Sequence, residues 1–224
     1  MSKFDLTIKE LGDVKAEINS FAESEFNDLK VLDKNNLIFI LKKIVFLKYL
    51  SRQVNSDYRF HALTSDFMYL IRSIKTGEER YYYLNLRSII EHSLRIVNSI
   101  ESTNTISNSD IMNSTQTVIE VKKASINMSI IKDEYTRSCL YVHGNENAGM
   151  SLATFYQNCM EDEGLIDEIS VKLNVLVKML KELFELILIS QNAIIDAAFF
   201  RRKTILEYLV GKNSYLVFEK YKVE

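Results

Sequence analysis

The 224-residue sequence has no proline and no tryptophan, and only six glycines, two cysteines and three histidines. Without proline nothing punctuates a helix from within, so turns must rest on Gly, Asn, Asp and Ser. Six glycines cannot supply a glycine-rich phosphate loop, and no GxSxG elbow is present. Cys139 and Cys159 make no disulfide framework, and neither has a CxxC partner; a reduced, cytoplasmic setting is expected. His61, His92 and His143 lie far apart along the chain, so no metal site is expected, and no other cofactor. A dominant charge is missing too. With a net charge of −2, nothing pulls the whole chain toward nucleic acid or an anionic membrane, and any RNA contact needs a local patch.

A long uninterrupted apolar run is also absent. The most apolar stretch, Leu183 to Phe200, is broken by Glu185, Gln191, Asn192 and Asp196, which suits a buried core helix better than a membrane span. The opening MSKFDLTIKELGDV has no apolar run behind a basic segment, so no secretory leader and no membrane partner are expected.

What the sequence does contain is apolar residues at helical spacing almost throughout. Leu37, Ile40, Leu41, Ile44, Phe46, Leu47 and Leu50 make a helix apolar nearly all round, hence central. Asp33 to Asn36 can cap its start, and Leu6 to Phe26 forms a weaker amphipathic helix over it. A third helix runs from about Asp57 to Thr76 and stops at Gly77; Glu78 and Glu79 open a fourth, through Ile100. Glu101 to Asn113, rich in Ser, Thr and Asn, reads as a loop, and GNENAG at 144–149 as a second. Ser114 to Asn127 and Ile130 to Val142 read as two shorter helices or one bent helix. A long helix from about Ile166 to Ala198 follows the acidic run Glu161, Asp162, Glu163, and the tail is expected to hold a short helix and then an irregular or strand-like end. The expected architecture is all-α: a single-domain antiparallel helical bundle over 1–224, with about six to eight helices.

Two strings carry candidate chemistry. Four residues separate Arg87 from His92, and five separate Arg137 from His143, which Gly144 follows directly. Both fit the R-x(4–6)-H pattern, on a helix carrying LRSIIEH and a later segment ending YVHG, with a polar loop between. In motif and layout, residues 58–198 resemble the HEPN superfamily, helical domains many of which are metal-independent endoribonucleases. The resemblance implies a HEPN-like core over 58–198, with 1–56 as additional packing helices and 199–224 as a C-terminal helical tail. It implies RNA as partner, a homodimer pairing two such motifs, and a toxin or effector role in bacterial stress response or anti-phage defence (abortive infection), with a protein partner or antitoxin to restrain it. One departure matters: Ser138 stands where the family often has Asn, Asp or His. Some related helical families end in a similar string without an established nuclease role, which leaves a non-catalytic module for dimerisation or partner binding as the alternative.

Geometry ranks the strings. At roughly 100° per residue, Arg87 and His92 point about 140° apart, so His92 reads as packed or solvated, on the far side with Ser88 and Arg95. Arg87 and Glu91 share a flank, and Glu91 with Arg95 makes a favourable i,i+4 pair. Arg137 and His143 also diverge, by about 120°, but His143 sits at a helix end beside a loop. Tyr135, Cys139 and His143 form one stripe that can pin the imidazole. Two roles stay open for His143: proton transfer, or capping of free carbonyls. Under the resemblance, His143 moves protons, Arg137 stabilises charge on the phosphoryl oxygens, and Glu91 orients one of them from the neighbouring helix. Tyr135 and Ser138 are supporting residues, and Arg87 with His92 is the second-choice motif. Of Tyr81, Tyr82 and Tyr83, successive positions point three ways, so at most one or two can face solvent to stack a base, and packing is the expected role.

Overall fold

In the computed structural model, residues 3–53, 58–101, 104–143, 153 and 164–222 are described. They form ten helices and, among the described residues, no strand: α1 (Lys3–Glu25), α2 (Val31–Gln53), α3 (Tyr58–Thr76), α4 (Glu79–Val97), α5 (Asn108–Lys122), α6 (Met128–His143), α7 (Ile169–Ser190), α8 (Asn192–Ala198), α9 (Lys203–Val210) and α10 (Lys212–Lys220). The all-α expectation holds. The loop at 144–149 and the acidic run at 161–163 lie outside the described residues.

The long helices α2 and α7 carry more buried residues than any other described helix. Leu37, Ile40, Phe46, Leu47 and Leu50 of α2 and Leu180, Leu183, Ile187 and Leu188 of α7 have no exposure. The Phe46 ring lies parallel to that of Phe199 at 5.7 Å and edge-on to Phe184 at 5.8 Å, a geometry favoured by the ring quadrupole. One contiguous apolar cluster draws on every helix from α1 to α10, so a single core organises the bundle. None of the described helices is long and apolar enough to cross a membrane.

The helix count exceeds the expected six to eight because the C-terminal third is more broken than its pattern suggests. The stretch expected as one helix to Ala198 divides at Gln191, whose buried amide donates to the Ile96 carbonyl at 2.7 Å and to Ser99 Oγ at 3.3 Å. Next to it, Asn192 donates to the Phe218 carbonyl at 3.0 Å. Two buried amides thus satisfy backbone groups of α4 and α10 by stepping the chain out of its helix for one residue. The tail is a correction as well. It forms two helices, α9 and α10, parted at Gly211 with φ 91°, rather than a helix and a strand-like end.

Three boundaries position the site. Gly77, at φ 76°, turns α3 into α4, a left-handed conformation that suits glycine. Residues expected as loop after Glu101 become helical at Asn108, because Ser107 Oγ accepts from the Asp110 amide at 3.2 Å and caps α5. Further back, α2 begins at Val31, so Asp33 lies within its first turn and accepts from Ser170 Oγ at 2.7 Å. The helices α4 and α6 run antiparallel: Glu91 meets Tyr135, and one end along Tyr83 meets Tyr141.

Candidate active site at the junction of α4, α5 and α6

On α4, Arg87 and Glu91 are one turn apart, and Arg87 Nε donates to Glu91 Oε1 at 2.9 Å. The same oxygen accepts from Tyr135 Oη on α6 at 3.0 Å and from Asn108 Nδ2 on α5 at 2.7 Å. Asn108 also donates to Tyr135 Oη at 2.8 Å. One carboxylate oxygen therefore ties three helices and fixes the guanidinium. Burial pushes the Tyr135 hydroxyl up to about 12, with the Glu91 charge adding to it, so the phenol stays a donor at neutral pH. The Arg87 guanidinium is held above its ordinary value, chiefly by its hydrogen bond to Glu91, and its centre lies 5.8 Å over the Tyr135 ring.

His143 completes the cluster. It is the last residue of α6, exposed, and its Nε2 lies 2.6 Å from Arg87 Nη1. A guanidinium has donors only, so a hydrogen bond here uses the Nε2 lone pair as acceptor. Nearby, Arg80 Nη2 donates to the Val142 carbonyl at 3.4 Å and fastens this end of α6 to α4. The imidazole caps no carbonyl among the described residues. Two groups with complementary capacities, a fixed cation and an imidazole, thus share one point on the surface, and three further residues hold the cation in place.

The pairing crosses the two strings. Arg137 is joined to neither His143 nor Glu91; its side chain, 52% exposed, makes an ion pair with Glu134 at 3.5 Å on the opposite flank of α6. Ser138 has no exposure and donates to the Glu134 carbonyl at 2.7 Å, a helix-internal bond. His92 is packed against α3: its Nδ1 lies 2.8 Å from Asp66 Oδ2, which also accepts from Ser88 Oγ at 2.7 Å, and Tyr58 meets the ring edge-on. The expected Glu91–Arg95 pair does not form, because Glu91 is taken by Arg87 and Arg95 donates to the Asn104 carbonyl at 3.1 Å. Tyr82 and Tyr83 are buried and Tyr81 is exposed, as three successive helical positions must be. Asn108 was the residue hidden in the sequence. Its signal was available: Ser107 three residues before Asp110 is a capping pattern that starts a helix where composition alone reads loop.

Among the described residues no group of three or more His, Cys, Asp or Glu side chains could hold a metal ion. Comparison with family models, with curated proteins and with solved structures returns no match.

Proposed function

We propose that this chain is a metal-independent endoribonuclease of HEPN type, working through Arg87 and His143 rather than through either string alone. The observation that carries the reading is the 2.6 Å contact between Arg87 Nη1 and His143 Nε2, with Arg87 clamped by Glu91. Two of the guanidinium's five donors are engaged there, which leaves an edge for the oxygens of a phosphodiester. The imidazole lone pair, once released from Arg87 by that phosphate, accepts the proton of the ribose 2′-hydroxyl. The new bond forms between the 2′-oxygen and phosphorus while the bond to the 5′-oxygen breaks. Arg87 stabilises the charge gathering on the non-bridging oxygens. The proton passes from the imidazolium to the departing 5′-oxygen, giving a cyclic 2′,3′-phosphate and a 5′-hydroxyl. Glu91, Tyr135 and Asn108 act as positioning residues through Arg87. A homodimer, and a role as a restrained toxin in bacterial defence, follow from the same family resemblance.

The test is incubation of purified protein with tRNA and total RNA in EDTA. Cleavage leaving cyclic phosphate ends is expected, falling about 100-fold or more in Arg87→Ala and His143→Ala, with His61→Ala, an exposed histidine on α3, unchanged. Loss of cleavage in His61→Ala alone, or full activity in both site variants, overturns the assignment. A second reading rests on Glu91 Oε1, whose three hydrogen bonds suit a purely structural clamp for a partner-binding module. Intact RNA under all these conditions, with Glu91→Ala unfolding the protein, favours it.

A further inference from the structure

On the other side of the α4–α6 seam lies a cavity of about 240 Å3. Glu134 and Tyr82 sit at its base, 6% and 2% exposed. Among the described residues the Tyr82 hydroxyl makes no hydrogen bond, and the Glu134 carboxylate has only the 3.5 Å ion pair with Arg137. Both side chains line the cavity, so a ligand that enters it can bond them. Two cations line it: half-exposed Arg137, and the largely covered Lys172, paired with Glu79 at 2.8 Å.

We propose that this cavity is a nucleobase subsite that selects guanine next to the Arg87–His143 centre. The proposal rests on the ribonuclease reading for its substrate, and on the cavity for its specificity. Its donor pattern decides the base. A carboxylate can only accept, so the ligand must present donors to Glu134 and an acceptor to Arg137. Guanine carries N1–H and the N2 amino group side by side, with O6 adjacent. Adenine and cytosine place a lone-pair nitrogen beside their single amino group, and uracil flanks one N–H with two carbonyls; each would set an acceptor against the carboxylate.

Position decides which chemistry the subsite serves. Tyr83 stands one turn, about 5.4 Å, before Arg87 on the same stripe of α4, and Tyr141 two residues before His143. The two rings stack at 3.8 Å, with 20° between their planes, and both line the cavity. This aromatic pair forms the wall between cavity and centre, and the partly exposed Tyr141 offers a face for stacking. A strand crossing it can hold a phosphate at Arg87 while the flanking base enters the cavity.

The test is titration of the full chain with each of the four nucleoside 5′-monophosphates by calorimetry, beside Glu134→Gln, Tyr82→Phe and Arg137→Ala. Guanosine monophosphate is expected to bind at least ten-fold tighter than the other three. Glu134→Gln should remove most of that preference, because an amide turns a donor toward guanine. Should it fail to fold, Arg137→Ala, at an exposed position, should still weaken the guanine nucleotide several-fold. Equal affinity for all four nucleotides, no binding, or unchanged preference in folded variants overturns the proposal. RNA cut without regard to base, with no guanine preference in binding, removes the subsite and leaves the nuclease. Guanine-selective binding without cleavage leaves the subsite and removes the nuclease.

Discussion

Two basic side chains are held at helix junctions in this molecule, and they are held differently. Lys43 of α2 is 2% exposed, and its Nζ donates to the carbonyls of Leu209 at 3.2 Å and Val210 at 3.1 Å, at the end of α9. Phe39 and Phe184 lie 4.5 and 5.4 Å from the same nitrogen. Enclosed by carbonyls and rings, this nitrogen closes the C-terminal end of α9 from within the core. Arg87 has one side fixed by Glu91 and Tyr135, while a quarter of its side chain remains exposed against an exposed imidazole. A basic group enclosed in the core serves the fold; a charge held on one side and open on the other is available to a ligand.

The largest effect should come from Lys43→Ala. It opens a cavity and strands two carbonyls, and a loss of about 3 kcal/mol is expected from urea unfolding. A loss under about 1 kcal/mol would show that water or a neighbouring group replaces the ammonium. Next comes Glu91→Ala, which sharpens the contrast by separating stability from activity. It should cost about 1–2 kcal/mol by leaving Tyr135 and Asn108 without their acceptor. RNA cleavage should fall much more, about 100-fold, because Arg87 loses its fixed orientation.

The pH dependence is a smaller effect with a definite sign. Burial, reinforced by Lys42, pulls the Lys43 ammonium from its ordinary 10.5 down to about 7. Between those values the unfolded chain carries a proton there that the folded chain lacks, so stability rises with pH; below about 7 both states are protonated and the contribution is flat. The melting temperature of the wild type, referred to Lys43→Met, is therefore expected to climb from pH 7 to pH 10. A flat difference would mean the carbonyls and rings keep Lys43 charged. The smallest effect is that of His143→Ala on stability, within about 0.5 kcal/mol by thermal melting, as for other exposed positions free of caps or strain. A larger loss would return His143 to a structural role.

The fold was legible because its carrier is local. The all-round apolar pattern of α2 marks it as central, and Gly77 followed by two glutamates marks the α3–α4 turn, from neighbouring residues alone. The break at Gln191 was not legible, since its cause is the Ile96 carbonyl on a distant helix. The candidate site divides along the same line. Arg87 with Glu91 could be read from one helix, as could the separation of Arg87 from His92. The meeting of Arg87 with His143 depends on α4 and α6 packing antiparallel, and helical angles within one segment carry no information about that. Those angles left Arg137 and His143 about 120° apart, and the structure sends Arg137 to the opposite flank of α6.

Whether Arg87 and His143 form one centre is decided by a double-mutant cycle. Single-turnover cleavage of a guanine-containing RNA in EDTA is compared for wild type, Arg87→Ala, His143→Ala and the double variant. Groups acting as a unit lose nearly everything when either is removed, so the double variant should be scarcely slower than the slower single one. Rate losses that multiply independently, or activity that survives Arg87→Ala and vanishes in Arg137→Ala, would show that the two residues do not act as one centre.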